Sequence, residues 1–161
     1  MQIIIGDREI VLTAADLRRF GEEAACEAAA DDREREEIRA RFAALPDDSG
    51  ADVPARTPSY RFVLAPLDFQ DQWRAVAWAR ERGLWDGREK TLSGYLLLLL
   101  VLLFRLKDWE GFEADWAPLP CTAENKGRVF GQAFGVIDAL CRKLAAEEEA
   151  ERKNSGTSPA G

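Results

Sequence analysis

The chain has 161 residues, 47 % of them hydrophobic and 32 % charged, enough for one domain with a proper core and too little for two comfortable ones. Its 29 acidic and 22 basic residues leave a net charge of -7, which repels nucleic-acid backbone and anionic lipid and so excludes both as primary partners. There is no histidine, which removes serine-histidine-acid and cysteine-histidine catalysis, and the three cysteines match neither a disulfide framework nor a paired-cysteine metal knuckle.

The amino terminus carries no basic segment followed by an apolar stretch and a small-residue cleavage site, so the expected location is the cytoplasm. Ile3-Ile4-Ile5 and Ile10-Val11-Leu12 flank Gly6-Asp7-Arg8-Glu9, a spacing that predicts a short β-hairpin of β-branched residues. Thr13 reads as the N-cap of a helix starting at Ala14. Leu17, Phe20, Ala24 and Ala28 form a thin apolar stripe, and Ile38, Phe42 and Leu45 form a second one beyond the charged run 31–37. One long helix and a helical hairpin both fit, with the charged run as a solvated face of ion pairs.

Residues 46–58 contain Pro46, Pro54 and Pro58 among Asp, Ser, Gly and Ala, and read as a linker. This gives an amino-terminal hairpin and helix over 1–45, a helical core domain over 59–151 and a disordered tail over 152–161. Tyr60, Phe62 and Leu64 alternate with Arg61 and Val63 in a short segment that can add a strand, stopped by Pro66. Asp68 caps a helix whose apolar positions include Phe69, Trp73, Val76, Ala77 and Leu84. After a turn at 85–88, Thr91 or Ser93 caps a leucine-rich helix.

From Leu92 to Leu106 the only interruptions are Ser93, Gly94, Tyr95 and Arg105, so that helix is apolar on every face, Phe104 included, and is expected to be covered on every face, as the centre of the core. It is too short to span a membrane, since 92–104 reaches about 20 Å against a hydrocarbon thickness of roughly 30 Å. Residues 108–121 read as a loop, and Thr122 opens the clearest helix, with Phe130, Ala133, Phe134, Ile137, Leu140, Cys141 and Leu144 as its core face. The fold class is therefore mainly α, a helical bundle around the buried leucine-rich helix with a small N-terminal β-hairpin.

Five tryptophans fall between positions 73 and 116. Trp73 lies on an apolar stripe and is assigned to the core. Trp78, Trp85, Trp109 and Trp116 are the candidate partner-binding residues, with Trp78, Trp85 and Trp116 best placed for exposure. The acidic cluster Asp108, Glu110, Glu113 and Asp115 lacks the spacing of a calcium loop and reads as a solvated loop. Cys121 and Cys141 read as small buried apolar residues, and Gly127 and Gly131 sit on a helical pattern with no strand before it, so they do not form a phosphate loop. No catalytic residue, cofactor site or metal site is assigned.

The series Leu106-x-Asp108-Trp109-x-Gly111, then Pro118-Leu119-Pro120-Cys121-Thr122-x-Glu124-Asn125, a long helix, and Glu151-Arg152-Lys153-Asn154-Ser155 before Ser158-Pro159-x-Gly161 resembles the tail assembly chaperones of long-tailed bacteriophages and prophages. The likeness covers 60–161, and residues 1–57 lie outside it. Where that family often has Asp-Gly before the prolines, this chain has Asp115-Trp116-Ala117. The resemblance implies a non-enzymatic protein of the bacterial host cytoplasm that binds the tape measure protein and keeps it soluble during tail assembly, with the major tail protein as a second candidate partner and self-association left open. The competing readings are a structural tail-completion or head-tail connector component of the virion and a small helical host-directed inhibitor.

Overall fold

The computed structural model describes residues 6–45, 59–81 and 94–155. In chain order its elements are β1 (Arg8–Leu12), α1 (Ala14–Ala28), α2 (Asp32–Ala43), β2 (Tyr60–Leu64), α3 (Phe69–Glu81), α4 (Gly94–Arg105), β3 (Leu106–Glu110), β4 (Glu113–Ala114), β5 (Ala117–Pro118), α5 (Ala123–Gln132) and α6 (Phe134–Ser155). The fold is mainly α, as the sequence predicts. The expected bundle of one core domain is replaced by two compact units, 1–11 with 60–132 and 12–59 with 133–161. This corrects the division at 45, 58 and 151, because β1 joins the sheet of the first unit while α1 packs against α6 in the second.

The first unit contains a sheet of order β1-β2-β3. The 10–12 half of the predicted amino-terminal hairpin lies in β1, a strand beside β2 that also takes in Arg8 and Glu9 of the expected turn, and its expected partner, 3–5, lies outside the described residues. β2 runs antiparallel to β3 with Phe62 opposite Trp109 and Arg61 opposite Glu110, and the register shifts between Val63 and Leu64. That irregularity puts Leu106 and Trp109, three residues apart, both in buried positions, whereas a regular strand would turn one of them outward. Ile10, Phe62 and Leu64 are buried as well. Arg61 reaches across the strands to both Glu9 oxygens, at 2.7 and 2.9 Å, and to Glu110 at 2.8 Å. The guanidinium holds the Glu9 carboxyl below the usual carboxylate range.

Asp68 starts α3 as predicted, its carboxylate accepting from the Gln70 N–H at 2.9 Å. The stripe that faces α4 differs from the predicted one: Ala75 and Ala79 meet Leu100 and Val101, with Trp78 and Leu97 against them. Two alanines let the helices approach closely, and Trp73, expected in the core, is 67 % exposed. Leu99, Leu100, Val101, Leu102 and Leu103 are buried, but Leu98 is 59 % exposed and Phe104 36 %, so α4 is not covered on every face. α4 passes into β3 without a loop. Ala65 and Arg105 hold the junction through two bonds, Ala65 N–H to the Arg105 carbonyl at 2.8 Å and Arg105 Nε to the Ala65 carbonyl at 3.0 Å.

The second unit is built from α1, α2 and α6. Thr13 and Asp16 form a reciprocal capping box, and Asp31 caps α2, so the helical hairpin is the alternative realised. The charged run is a solvated face, with Arg33–Glu37 and Arg35–Asp32 ion pairs at 3.2 and 2.6 Å. Phe20 on α1 and Ile38 on α2 are buried, as are Ile137, Leu140 and Leu144 on α6. The predicted continuous helix from Thr122 breaks at Ala133, whose carbonyl accepts from Val136 and Ile137 to start α6, and Phe134 is exposed rather than core. α6 runs to Ser155, so 152–155 are helical rather than tail, with Lys153 and Glu149 paired at 2.8 Å one turn apart. Residues 156–161 of the expected tail lie outside the described residues.

Two ion-pair clusters join α1 to α6. Arg142 meets Glu27 at 2.8 Å, Glu23 at 3.2 Å and Asp138 at 2.9 Å, and Lys143 meets Asp16 at 2.8 Å. Burial pushes the Asp16 carboxyl up, but the hydrogen bonds from Lys143 and Thr13 outweigh it and hold the group below its ordinary value. A carboxylate depressed in the fold adds stability that is fully present above its unfolded pKa, about 3.9, and is lost as pH falls through the folded value. Asp16→Asn is therefore expected to cost about 1–2 kcal/mol at pH 7 in urea unfolding. The gap from wild type should narrow near pH 3; an equal gap at both pH values would show that the charge of Asp16 contributes nothing.

Candidate functional site: an apolar cleft of the first unit

Thr122 caps α5 through its Oγ1, which accepts from the Asn125 N–H at 3.2 Å, and the buried Asn125 side chain donates back to the Pro120 carbonyl at 2.9 Å. Lys126 Nζ then reaches the Leu106 carbonyl at the α4–β3 junction, at 2.6 Å. These bonds fix α5 beside the end of α4 and leave a cleft of about 450 Å³ between α3, α4 and α5. Trp78, Leu100, Leu103, Phe104, Gly127 and Phe130 line it together with Glu124 and Lys126. The volume falls within the range of about 300–1,000 Å³ typical of ligand-binding clefts. Glu124 is held by Arg128 at 2.5 Å, so the lining offers mainly aromatic and aliphatic surface with two charged residues, Glu124 and Lys126.

The titratable groups around this cleft offer a small chemical repertoire. Burial pushes the Cys121 thiol up, so it stays protonated near neutral pH and is a poor nucleophile; Cys141, in the second unit, is raised for the same reason. Both are half-buried rather than fully buried. Among the described residues no three histidine, cysteine or carboxylate side chains gather where they could hold a metal ion. Asp108 accepts from the Trp109 N–H and Glu110 from Arg61, while Glu113 and Asp115 stay exposed, in keeping with a solvated acidic segment. Gly127 and Gly131 lie within α5. No described helix is long and apolar enough to cross a membrane.

The structure separates the four candidate tryptophans. Trp78 is half-buried and lines the cleft. Trp116 is 95 % exposed at the tip of the β4–β5 hairpin. Trp109 is only 5 % exposed and is a core residue, which corrects its assignment to a binding surface: its ring is opposite Phe62 and its Nε1 donates to the Leu119 carbonyl at 2.6 Å. Trp85 lies outside the described residues. Phe104 and Phe130 belong to the cleft although the sequence places both in the core, since periodicity marks an apolar face without telling whether another helix covers it.

A second depression, about 560 Å³, lies on the second unit among Arg19, Glu22, Glu23, Cys26, Glu27, Arg35 and Arg39. Three of its charged residues are engaged with neighbours: Arg142 takes Glu23 and Glu27, and Arg35 takes Asp32 and the Cys26 carbonyl. Comparison with known protein families, characterised proteins and solved structures finds no match to this chain.

Proposed function

We propose that the chain is a non-enzymatic assembly chaperone that shields an apolar stripe of a helical client in the cleft formed by α3, α4 and α5. The observation that carries this reading is the cleft itself, a groove with Trp78, Phe104 and Phe130 among its walls and Glu124 and Lys126 as its charged lining residues. An amphipathic helix laid into such a groove buries its i, i+3, i+4 apolar positions and leaves its polar face in water. Aromatic side chains are the residue types that most often dominate such contacts.

The resemblance to phage tail assembly chaperones supplies the narrower proposal, with the tape measure protein as the client, the bacterial host cytoplasm as the setting and the major tail protein as a further partner. What supports it is that the residues carrying the resemblance act together. Gly111, at φ 109°, provides a turn that only glycine adopts freely, Trp109 locks the strand it follows, and Thr122 and Asn125 set the α5 wall of the cleft.

Co-expression with the tape measure protein of the same phage should raise that protein's soluble yield and allow the two to co-purify. Phe104→Lys, at a position already partly in water, should lower retention of the client at least about tenfold while leaving the helical circular dichroism and melting temperature close to wild type. Undiminished retention by Phe104→Lys would rule out the cleft. A fixed number of copies in purified particles, with no gain in client solubility, would instead identify a structural component of the virion.

A further inference from the structure

The turn joining β4 to β5 has two central residues, Asp115 and Trp116, both with left-handed backbone, φ 51° and 65°. Two-residue hairpin turns of this hand favour Asn-Gly or Asp-Gly, since a residue with a Cβ is strained there by roughly 1–2 kcal/mol. Trp116 holds the position where glycine is favoured and projects its indole into water. Strain in the turn and apolar surface in solvent both oppose stability, and neither helps the core. Strained positions of this kind concentrate where a side chain is held out for use.

The mount beneath the tip is rigid. The Phe112 ring packs against Tyr60, Trp109 and Phe62 with centroids 4.9, 5.2 and 6.0 Å away. Its carbonyl accepts from the Leu119 N–H at 2.9 Å, and the Leu119 carbonyl accepts from Trp109. Both legs of the hairpin are thus anchored to β2 and β3, so the tip has little freedom to lose on binding. Glu113 and Asp115 lie on the same hairpin as Trp116, both exposed, and neither carboxylate has a partner among the described residues, whereas Glu110 is neutralised by Arg61 at 2.8 Å.

We propose that this hairpin tip is a docking point for an arginine-bearing basic segment of a partner protein. The guanidinium stacks on the face of Trp116, the aromatic ring that attracts cations most strongly, and Glu113 and Asp115 supply the opposing charge. The same carboxylates repel phosphate and acidic segments, and the net charge of -7 steers basic partners toward the chain. The tip needs nothing from the cleft for this role.

Isothermal titration of the full chain with a short glycine–arginine peptide tests it, with glycine–lysine and glycine–glutamate peptides as comparisons. The arginine peptide should bind best, more weakly as salt rises. Trp116→Gly should weaken it at least about tenfold without lowering the melting temperature, because glycine relieves the turn. Glu113→Gln with Asp115→Asn should weaken it too, and Phe104→Lys should not. Equal binding by Trp116→Gly, or lysine and arginine peptides binding alike, would overturn the proposal. So would a wild-type dimer in sedimentation that Trp116→Gly dissolves, since the occupant would then be a second copy of the chain.

Discussion

Leu99→Asp is expected to yield no folded protein. Leu99 is 1 % exposed and sits in an unbroken run of buried residues from 99 to 103, with no basic side chain among them to pair a carboxylate. An unpaired charge or newly protonated acid at such a site costs several kcal/mol, and the lost leucine burial adds about 2–5 kcal/mol. A domain of this size holds only about 5–15 kcal/mol in total. The informative comparison is one residue away, because Leu98 is 59 % exposed on the same helix. Leu98→Asp should express, fold and lose less than about 1 kcal/mol. Soluble yield and thermal unfolding by circular dichroism read both variants. Equal loss in the two would mean that α4 is covered on the side where Leu98 faces water.

The contrast between Leu98 and Leu99 also marks what the sequence could convey about this helix. The nine apolar residues in a row from Leu96 to Phe104 show that α4 is mostly buried and too short for a bilayer, and both readings fit the structure. A run without polar punctuation has no phase, however, so it cannot say which face stays open. Capping chemistry was more informative because it is local: Thr13, Asp68 and Thr122 each announce a helix start through an oxygen and a nearby N–H. β3 stayed hidden because the register shift places its buried residues Leu106 and Trp109 three apart, which is a helical spacing, directly after a real helix. The grouping of α1 with α6 was equally out of reach. It depends on pairs such as Lys143–Asp16, 127 positions apart in the chain, and no local pattern encodes them.

The candidate site was legible in the same uneven way. Composition drew attention to the tryptophan-rich middle of the chain, and two of its members, Trp78 and Trp116, do lie where another molecule can reach or approach them. Trp73 and Trp109 exchanged places. Trp73 fits a helical stripe by spacing, but the α3 surface against α4 is set by the small residues Ala75 and Ala79, which rotates the helix and turns Trp73 outward. The cleft itself needs α5 to be held near α4 by Lys126 and the Leu106 carbonyl, a contact between residues 20 positions apart that leaves no mark on hydrophobic periodicity.

Trp109→Ala should therefore act on stability and not on binding alone. Its indole is buried opposite Phe62, meets Phe112 edge-on at 5.2 Å and ties β3 to the Leu119 carbonyl at 2.6 Å. Removing a buried tryptophan costs about 3–5 kcal/mol, which for a chain of this length lowers the melting temperature by roughly 6–20 °C. Trp109→Phe separates the two contributions: it keeps an aromatic ring in the cluster but strips the Leu119 carbonyl of its donor, for a smaller loss of about 1–3 kcal/mol. Trp73→Ala, at a position 67 % exposed, should change stability by less than about 1 kcal/mol. Thermal melts of the three variants give the order directly. If Trp109→Ala melts with the wild type while partner retention falls, the indole belongs to a binding surface and the aromatic mount of the hairpin is not what holds it in place. If it melts early, the exposed Trp116 stands on a support whose loss should also weaken whatever the tip binds, even though Trp109 never touches the partner.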